Sequence, residues 1–292
     1  MDYESVEQIE NGILLSNVKN FELKHIFECG QCFRWNKTQN GSYIGVAFNR
    51  VIEVQKQGED VIIYNANIEE FNLTWKEYFD LNTDYALIKE SLNEDPLLNK
   101  AIDFGYGIRI LNQECFEMII SFITSANNRI PMIKKCIENM SRMWGKPIEY
   151  NGKTYYGFPE VSKIAQASIS ELESAGTGFR AKYIKDTAEK IYENNNIDYI
   201  RSLNDDECHN ELMKFNGIGP KVADCIMLFS MQKHSAFPVD VWVKRAMIHF
   251  YLAPDVSLNK IRDFGRKKFN NLSGFAQQYL FYYARENNIK LD

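Results

Sequence analysis

The chain has 292 residues, 45% of them apolar, and a formal net charge of −5. That length allows one large domain or two, and the apolar share is that of an ordinary water-soluble globule. No run of about 18 apolar residues offers a membrane span, and the acidic total argues on its face against a polyanionic partner.

In chain order, the opening MDYESVEQIENG lacks both a basic n-region and an apolar h-region, which argues against a signal peptide. QCFRWNKTQNGSYIGVAF alternates through Phe33 and Trp35 and then turns at Asn40-Gly41. NRVIEVQKQGEDVIIYN gives a second strand pair with its turn near Gly58. Links this short predict antiparallel hairpins, in a sheet running to about residue 80. From 115 the pattern becomes helical. Pro131 separates a helix ending near SANNR from one starting at PMIKKCIENM. Ser168 and Glu171 have capping-box spacing, GTGFRA interrupts, 180–193 reads as helix, and Asn204 with Glu207 repeats the cap signal. The remainder is mostly helical, with Pro238 and Pro254 in breaks.

Charge is local. Between 241 and 270 seven cations (Lys244, Arg245, Lys260, Arg262, Arg266, Lys267, Lys268) face only Asp255 and Asp263. Arg180, Lys182, Lys185 and Lys190 face Asp186 and Glu189. Two basic patches on an acidic chain suit a binding face, although solvated helix faces would read the same way. Cys29 and Cys32 form a lone CxxC, a possible redox motif or half of a metal site. No second CxxC completes it and the four histidines stand far apart. Six free cysteines and a cytoplasmic location are therefore expected.

FNGIGPKVADC, 215–225, sets two glycines and a proline between helical runs. Glycine permits positive φ and close backbone approach, and Pro220 suits the first turn of the next helix. Ile218 can plug the seam. The stretch reads as a helix–hairpin–helix whose amides can hold a phosphate; an ordinary helical hairpin is the alternative. Lys221 sits in that first turn, against the helix dipole. Desolvation and the dipole would favour the neutral amine of a nucleophile, while Asp240, nineteen residues on in FPVDVW, would favour the charged form.

GIGPKVADC followed by FPVDVW resembles the helix–hairpin–helix DNA glycosylases with their Gly-Pro-Asp signature. CGQCFRW (29–35), FITSANNRI (122–130), GFRAKY (178–183) and GFAQQYLF (274–281) occur in the order found in the 8-oxoguanine DNA glycosylases. The resemblance covers most of the chain. It implies an α+β fold, with an antiparallel sheet domain at 1–85 and a two-part helical domain at 86–292, the hairpin at 217–219 and the active cleft between the helical parts.

It also implies a bifunctional DNA glycosylase/AP lyase acting on duplex DNA that contains 8-oxoguanine, and on its ring-opened relative. By the same resemblance Lys221 would attack C1′ of the deoxyribose, and Asp240 would stabilise charge at the sugar. The base pocket would be formed by Gly30, whose carbonyl meets N7–H, by Gln277 on the Watson–Crick edge, and by Phe281 and Cys225 on the two faces. Asn127 would fill the gap in the duplex, Phe179 would act as the wedge and Arg180 as a neighbouring DNA contact. Gly217 and Gly219 would hold a phosphate, with a structural metal ion on nearby carbonyls when DNA is bound. No cofactor would be required. A monomer in a bacterial-type cytoplasm, meeting the nucleoid through DNA, is expected.

The chain also departs from the family. Arg129 replaces the third asparagine of an Asn run. Met132 stands where well-known members carry an arginine that reads the opposite cytosine, and Trp242 stands for a histidine near the phosphate. The C-terminal cysteines that hold an iron–sulfur cluster in some cousins are missing. A glycosylase of another specificity, or a non-catalytic helix–hairpin–helix DNA-binding protein, are the alternatives. The second needs Gly217 and Gly219 but not Lys221 paired with Asp240.

Overall fold

The computed structural model describes residues 2–194, 196–252 and 255–290; the break expected at Pro254 lies outside the described residues. Six strands form one antiparallel sheet: β1 (Ser5–Ile9), β2 (Gly12–Ser16), β3 (Trp35–Lys37), β4 (Tyr43–Ala47), β5 (Arg50–Gln57) and β6 (Asp60–Tyr64). Their order is β1-β2-β6-β5-β4-β3. The turn at Gly58 joins β5 to β6 in a two-residue link, Gln57 pairing with Asp60. The link at Asn40-Gly41 is longer than the expected tight turn, because Lys37 already pairs with Tyr43 and Thr38 N–H bonds the Ser42 carbonyl.

Helix α1 (Leu23–Phe27) buries Leu23, Ile26 and Phe27 in one core with residues of this sheet. The sheet itself stops at Tyr64, not near residue 80. Residues 68–78 are helical: α2 (Ile68–Glu70) runs through a π-turn (Phe71–Trp75) into α3 (Lys76–Tyr78). An Asn67–Glu70 capping box starts them, and their apolar side chains Phe71, Trp75 and Tyr78 are buried under the sheet.

The helical body comprises α4 (Tyr85–Leu92), α5 (Pro96–Phe104), α6 (Cys115–Ser125), α7 (Ile130–Trp144), a small hairpin of β7 (Pro147–Tyr150) and β8 (Lys153–Tyr156), then α8 (Val161–Gln166) and α9 (Ile169–Ser174). It continues with α10 (Ala181–Asn194), α11 (Ile197–Ser202), α12 (Asp205–Leu212), α13 (Pro220–Ser230), α14 (Val241–Phe250), α15 (Leu258–Phe269) and α16 (Ser273–Glu286). The cap signals act as read: Ser168 and Glu171 form a capping box, and Asn204 accepts the Glu207 N–H.

Two apolar cores result, one under the sheet and one among the helices. The segment 28–33 lies on the seam between them. Cys29 and Phe33 belong to the helical core, and Cys32 to the sheet core. The buried Gln31 side chain pins this segment, donating to the carbonyls of Ile26 (2.9 Å) and Arg109 (2.7 Å) and accepting from Leu111 N–H (2.9 Å).

Candidate active site

A cavity of about 430 Å³ opens where segment 28–33, the end of α6, the start of α13, the start of α14 and the inner face of α16 converge. Lys221, Asp240, Gly30, Cys225, Gln277, Phe281, Asn127 and Trp242 all line it. The sequence spread these eight over some 250 residues, and the fold brings them to one wall system.

Lys221 is carried by a rigid element. Gly219 is the N-cap of α13, Pro220 occupies the first position, and every residue from Val222 to Ser230 is buried. The Lys221 ammonium lies 5.3 Å from the centre of the Phe122 ring. One turn on, the Cys225 thiol is pushed up to about 11 by burial, with Lys221 pulling it the other way. Cys225 is thus a neutral, packed wall and not a competing thiolate.

Asp240 caps α14. Its Oδ1 accepts the N–H groups of Trp242 (2.9 Å) and Val243 (2.8 Å), which fixes the carboxyl at the cavity. Burial raises its pKa above the ordinary 3.8; the Val243 amide, the Lys221 charge, the Trp242 amide and Arg285 oppose the rise without cancelling it.

Gly30 has φ of +82°, a conformation that glycine adopts without strain. Its neighbours are tied down: Gln278 Nε2 donates to the Cys29 carbonyl at 2.9 Å, and Arg285 Nη2 donates to the Glu28 carbonyl. Among the described residues the Gly30 carbonyl accepts no hydrogen bond. A Cβ there would meet Phe281 Cε1 at 3.0 Å. Gly30→Ala is therefore expected to cost about 1–3 kcal/mol of strain and to slow single-turnover base excision by about 10- to 100-fold. An alanine chain with unchanged excision would show that this position is not part of the pocket.

Gln277 is 4% exposed, and its Oε1 is buried with no partner among the described residues. A buried amide oxygen on a cavity wall is placed to accept a hydrogen bond from a bound molecule. Gln278 and Arg285 were not singled out by the sequence. Their roles depend on contacts 249 and 257 residues away, which no local pattern encodes.

At the cavity rim Asn127 is exposed at φ of +49°; outside it Phe179 is 60% exposed on a 3-10 turn (Gly178–Arg180), and Met132 is 48% exposed on the first turn of α7 beside the exposed Arg129. Arg180, expected as a neighbouring DNA contact, is buried and donates to the carbonyls of Ala126 (2.6 and 2.8 Å) and Asn127 (2.9 Å). Its five donors suit two converging carbonyls, so it holds the Asn127 loop in place.

The hairpin also refines the expectation. Gly217 has φ of +86°, and a Cβ there would strike Tyr183 at 2.8 Å. Gly219 is extended (φ −94°) and a Cβ there would meet open space, so no contact within the chain requires glycine at this position. Its carbonyl accepts the first helical bond, from Ala223, whereas those of Gly217 and Ile218 accept none among the described residues.

The basic patches are partly spent inside the protein. Arg262 grips the buried Asp224 through two bonds (2.6 and 2.9 Å), Arg266 pairs with Asp206, Lys268 with Asp95, Lys185 with Glu189 and Lys190 with Asp186. Lys182, Lys244, Arg245, Lys260 and Lys267 have no ion pair among the described residues. Arg245 covers the Trp242 ring at 4.6 Å. Burial pushes the Cys29 thiol up to about 11 and that of Cys32 well above its ordinary value, which disfavours redox or metal chemistry at this CxxC.

Residues 13–119 match the family profile for the N-terminal domain of 8-oxoguanine DNA glycosylase, and residues 120–271 match that of the HhH-GPD superfamily of base excision DNA repair proteins. A probable N-glycosylase/DNA lyase of Methanothermobacter thermautotrophicus is 32% identical over 231 residues, 72% of each chain. An N-glycosylase/DNA lyase of Arabidopsis thaliana is 30% identical over 274 residues, 87% of this chain and 75% of that one. The crystal structure of Clostridium acetobutylicum 8-oxoguanine glycosylase/lyase, bound to duplex DNA with cytosine opposite the lesion, is 64% identical. It superposes with a TM-score of 0.98 over 99% of this chain and all of that one.

Proposed function

From the premise that the chain belongs to the 8-oxoguanine DNA glycosylases of the HhH-GPD superfamily, we propose how its residues carry out that family's reaction. The protein is a glycosylase/lyase that removes 8-oxoguanine from duplex DNA and nicks the strand. The convergence of Lys221, Asp240, Gly30 and the unpartnered Gln277 amide on one cavity carries the residue assignment.

The nucleotide leaves the stack, because neither Lys221 nor Asp240 could reach C1′ inside an intact duplex. Phe179 takes the wedge role and Asn127 fills the gap; an apolar side chain pushed into a step is a familiar device. The base slides between Phe281 and Cys225, with its Watson–Crick edge on Gln277. The Gly30 carbonyl accepts N7–H, which guanine lacks. Guanine would set two acceptors against each other in a buried place, at a cost of about 1–3 kcal/mol.

The Lys221 amine then bonds to C1′ as the C1′–N9 pair of electrons leaves with the base. A Schiff base forms, and β-elimination expels the 3′ phosphate. Asp240 offsets the positive charge that develops on the sugar. The hairpin at 217–219 would hold a backbone phosphate with the free amides of the first turn of α13. The open Gly217 and Ile218 carbonyls suit a cation there; such an ion would help anchor the phosphate and has no part in the bond changes. Action as a monomer is part of the same reading. Among the described residues no helix is long and apolar enough to cross a membrane.

Borohydride reduction during turnover on a duplex carrying 8-oxoguanine tests this reading: a covalent protein–DNA adduct is expected, and its absence from the active native chain would argue for hydrolysis without a Schiff base.

Met132 cannot donate to the base opposite the lesion. A modest preference for cytosine over adenine is therefore expected, and Met132→Arg should raise it by about 10-fold or more, the worth of a good bidentate contact. Arg129 is three residues away and is the side chain able to compensate. The comparison is of excision rates opposite each base. A strong cytosine preference that Met132→Arg leaves untouched would rule the idea out.

A further inference from the structure

Gln277, Phe281 and Arg285 recur at intervals of four on α16 and form one stripe along the cavity. The reading above uses the first two only. The Arg285 guanidinium is firmly held: Nε and Nη2 donate to Glu286 Oε1 at 3.1 and 2.9 Å, and Nη2 also reaches the Glu28 carbonyl. Its centre lies 5.2 Å from that of the Phe281 ring. Nη1, by contrast, is buried with no partner among the described residues. Such a donor is costly to leave unmatched. It lies 3.3 Å from where a Cβ on Gly30 would be, beside the segment whose carbonyl faces N7.

The stripe has the length of a bound purine. Eight residues of helix cover about 12 Å, and a purine with a hydrogen bond at each end spans a comparable distance. With Gln277 at the Watson–Crick edge and Phe281 beneath the ring system, Arg285 falls at the five-membered-ring end. Helical side chains lean back toward the N-terminus, which turns Arg285 toward the base. We propose that Arg285 is a specificity-determining residue whose Nη1 donates a hydrogen bond to O8 of the extruded 8-oxoguanine. This rests on the glycosylase reading given above.

The chemistry of the two bases makes the contact selective. O8 is an acceptor adjacent to N7–H, whereas guanine offers only a C–H at C8. Guanine would leave the arginine unmatched in addition to opposing Gly30. The contact also strengthens during reaction. As the C1′–N9 bond breaks, its electron pair passes to the base and part of the charge resides on O8. Lys221 nitrogen takes the position at C1′, the departing base takes up a proton from water, and Arg285 keeps its own protons throughout.

The test uses the full chain in single-turnover assays. Arg285→Leu should slow excision of 8-oxoguanine about 10- to 100-fold, the value of a hydrogen bond from a charged group. A melting temperature close to the native one shows that the variant is folded, and strand cleavage at a preformed abasic site, where no base fills the pocket, should be slowed less than base excision. Because Arg285 also ties down the Glu28 carbonyl, a second substrate separates reading from anchoring. 8-Thioguanine keeps N7–H but presents a weaker acceptor. The native preference for oxygen over sulfur should shrink several-fold in Arg285→Leu, and in Arg285→Lys if the leucine chain does not fold. An unchanged oxygen-to-sulfur ratio, or native excision rates, would overturn the proposal. Loss of abasic-site cleavage in the native chain would instead sink the glycosylase/lyase reading itself.

Discussion

Lys221→Gln is expected to leave a folded protein that still binds DNA but forms no borohydride-trapped adduct and no nick. A Schiff base requires a primary amine, and an amide nitrogen is not a nucleophile at this carbon. The loss in single-turnover cleavage should be about 10⁴-fold or more, the scale seen when a nucleophile is removed from a site whose other parts remain. The fold should survive. α13 is positioned by its buried residues from Val222 to Ser230, and Lys221 points into the cavity. A lysine in the first turn also works against the helix dipole, so its removal should not lower the melting temperature. The neighbouring Cys225 thiol stays protonated at neutral pH and cannot replace the amine. An adduct that persists in Lys221→Gln would move the nucleophile elsewhere.

Asp240→Asn should be the second most damaging change, costing about 10²- to 10³-fold in excision, as expected when a charge aimed at the developing cation is lost. The amide oxygen can still accept from the Trp242 and Val243 amides, so α14 keeps its cap. The stability effect has the opposite sign to the activity effect. Burial holds the folded-state pKa above its ordinary value, so the fold binds this proton more tightly than the unfolded chain does. Stability from this group therefore rises as pH falls through the raised pKa and is absent at neutral pH, where the buried carboxylate is a cost. Asparagine removes that cost, and the variant should melt no lower than the native chain at pH 7. The acid limb of the native excision profile should lie above pH 3.8 and should disappear in Asp240→Asn. A native acid limb below that value would assign the limb to another group.

The hairpin was legible because Gly217, Pro220 and the cap signals are local instructions. Positive φ, a missing N–H and a capping oxygen each act within a few residues. The central strands were legible for the same reason, through their period of two and Gly58. The β1–β2 hairpin was not read although Asn11-Gly12 carries an Asn-Gly turn signal, since the first strand is half exposed and shows no apolar alternation. The stretch 68–78, expected within the sheet, is helical, with Leu73 73% exposed while Phe71 and Trp75 are buried.

The site divided along the same line. Residue types that chemistry demands, a lysine and an aspartate, stood out beside the hairpin. The hold of Arg180 on the Ala126 and Asn127 carbonyls was not legible, because burial and contacts between distant segments are properties of the fold. The partial neutralisation of the basic patches was hidden for the same reason, since Asp224, Asp206 and Asp95 reach Arg262, Arg266 and Lys268 from distant segments.

The ties from Gln278 to Cys29 and from Arg285 to Glu28 span 249 and 257 residues. A growing polypeptide leaving the ribosome therefore carries its amine and its aspartate well before the slot for the base exists. Only when α16 emerges and docks onto the 28–33 segment does that slot close, and loop closure over so long a separation is a late step. Half-made enzyme is thus unable to sort damaged from intact purines.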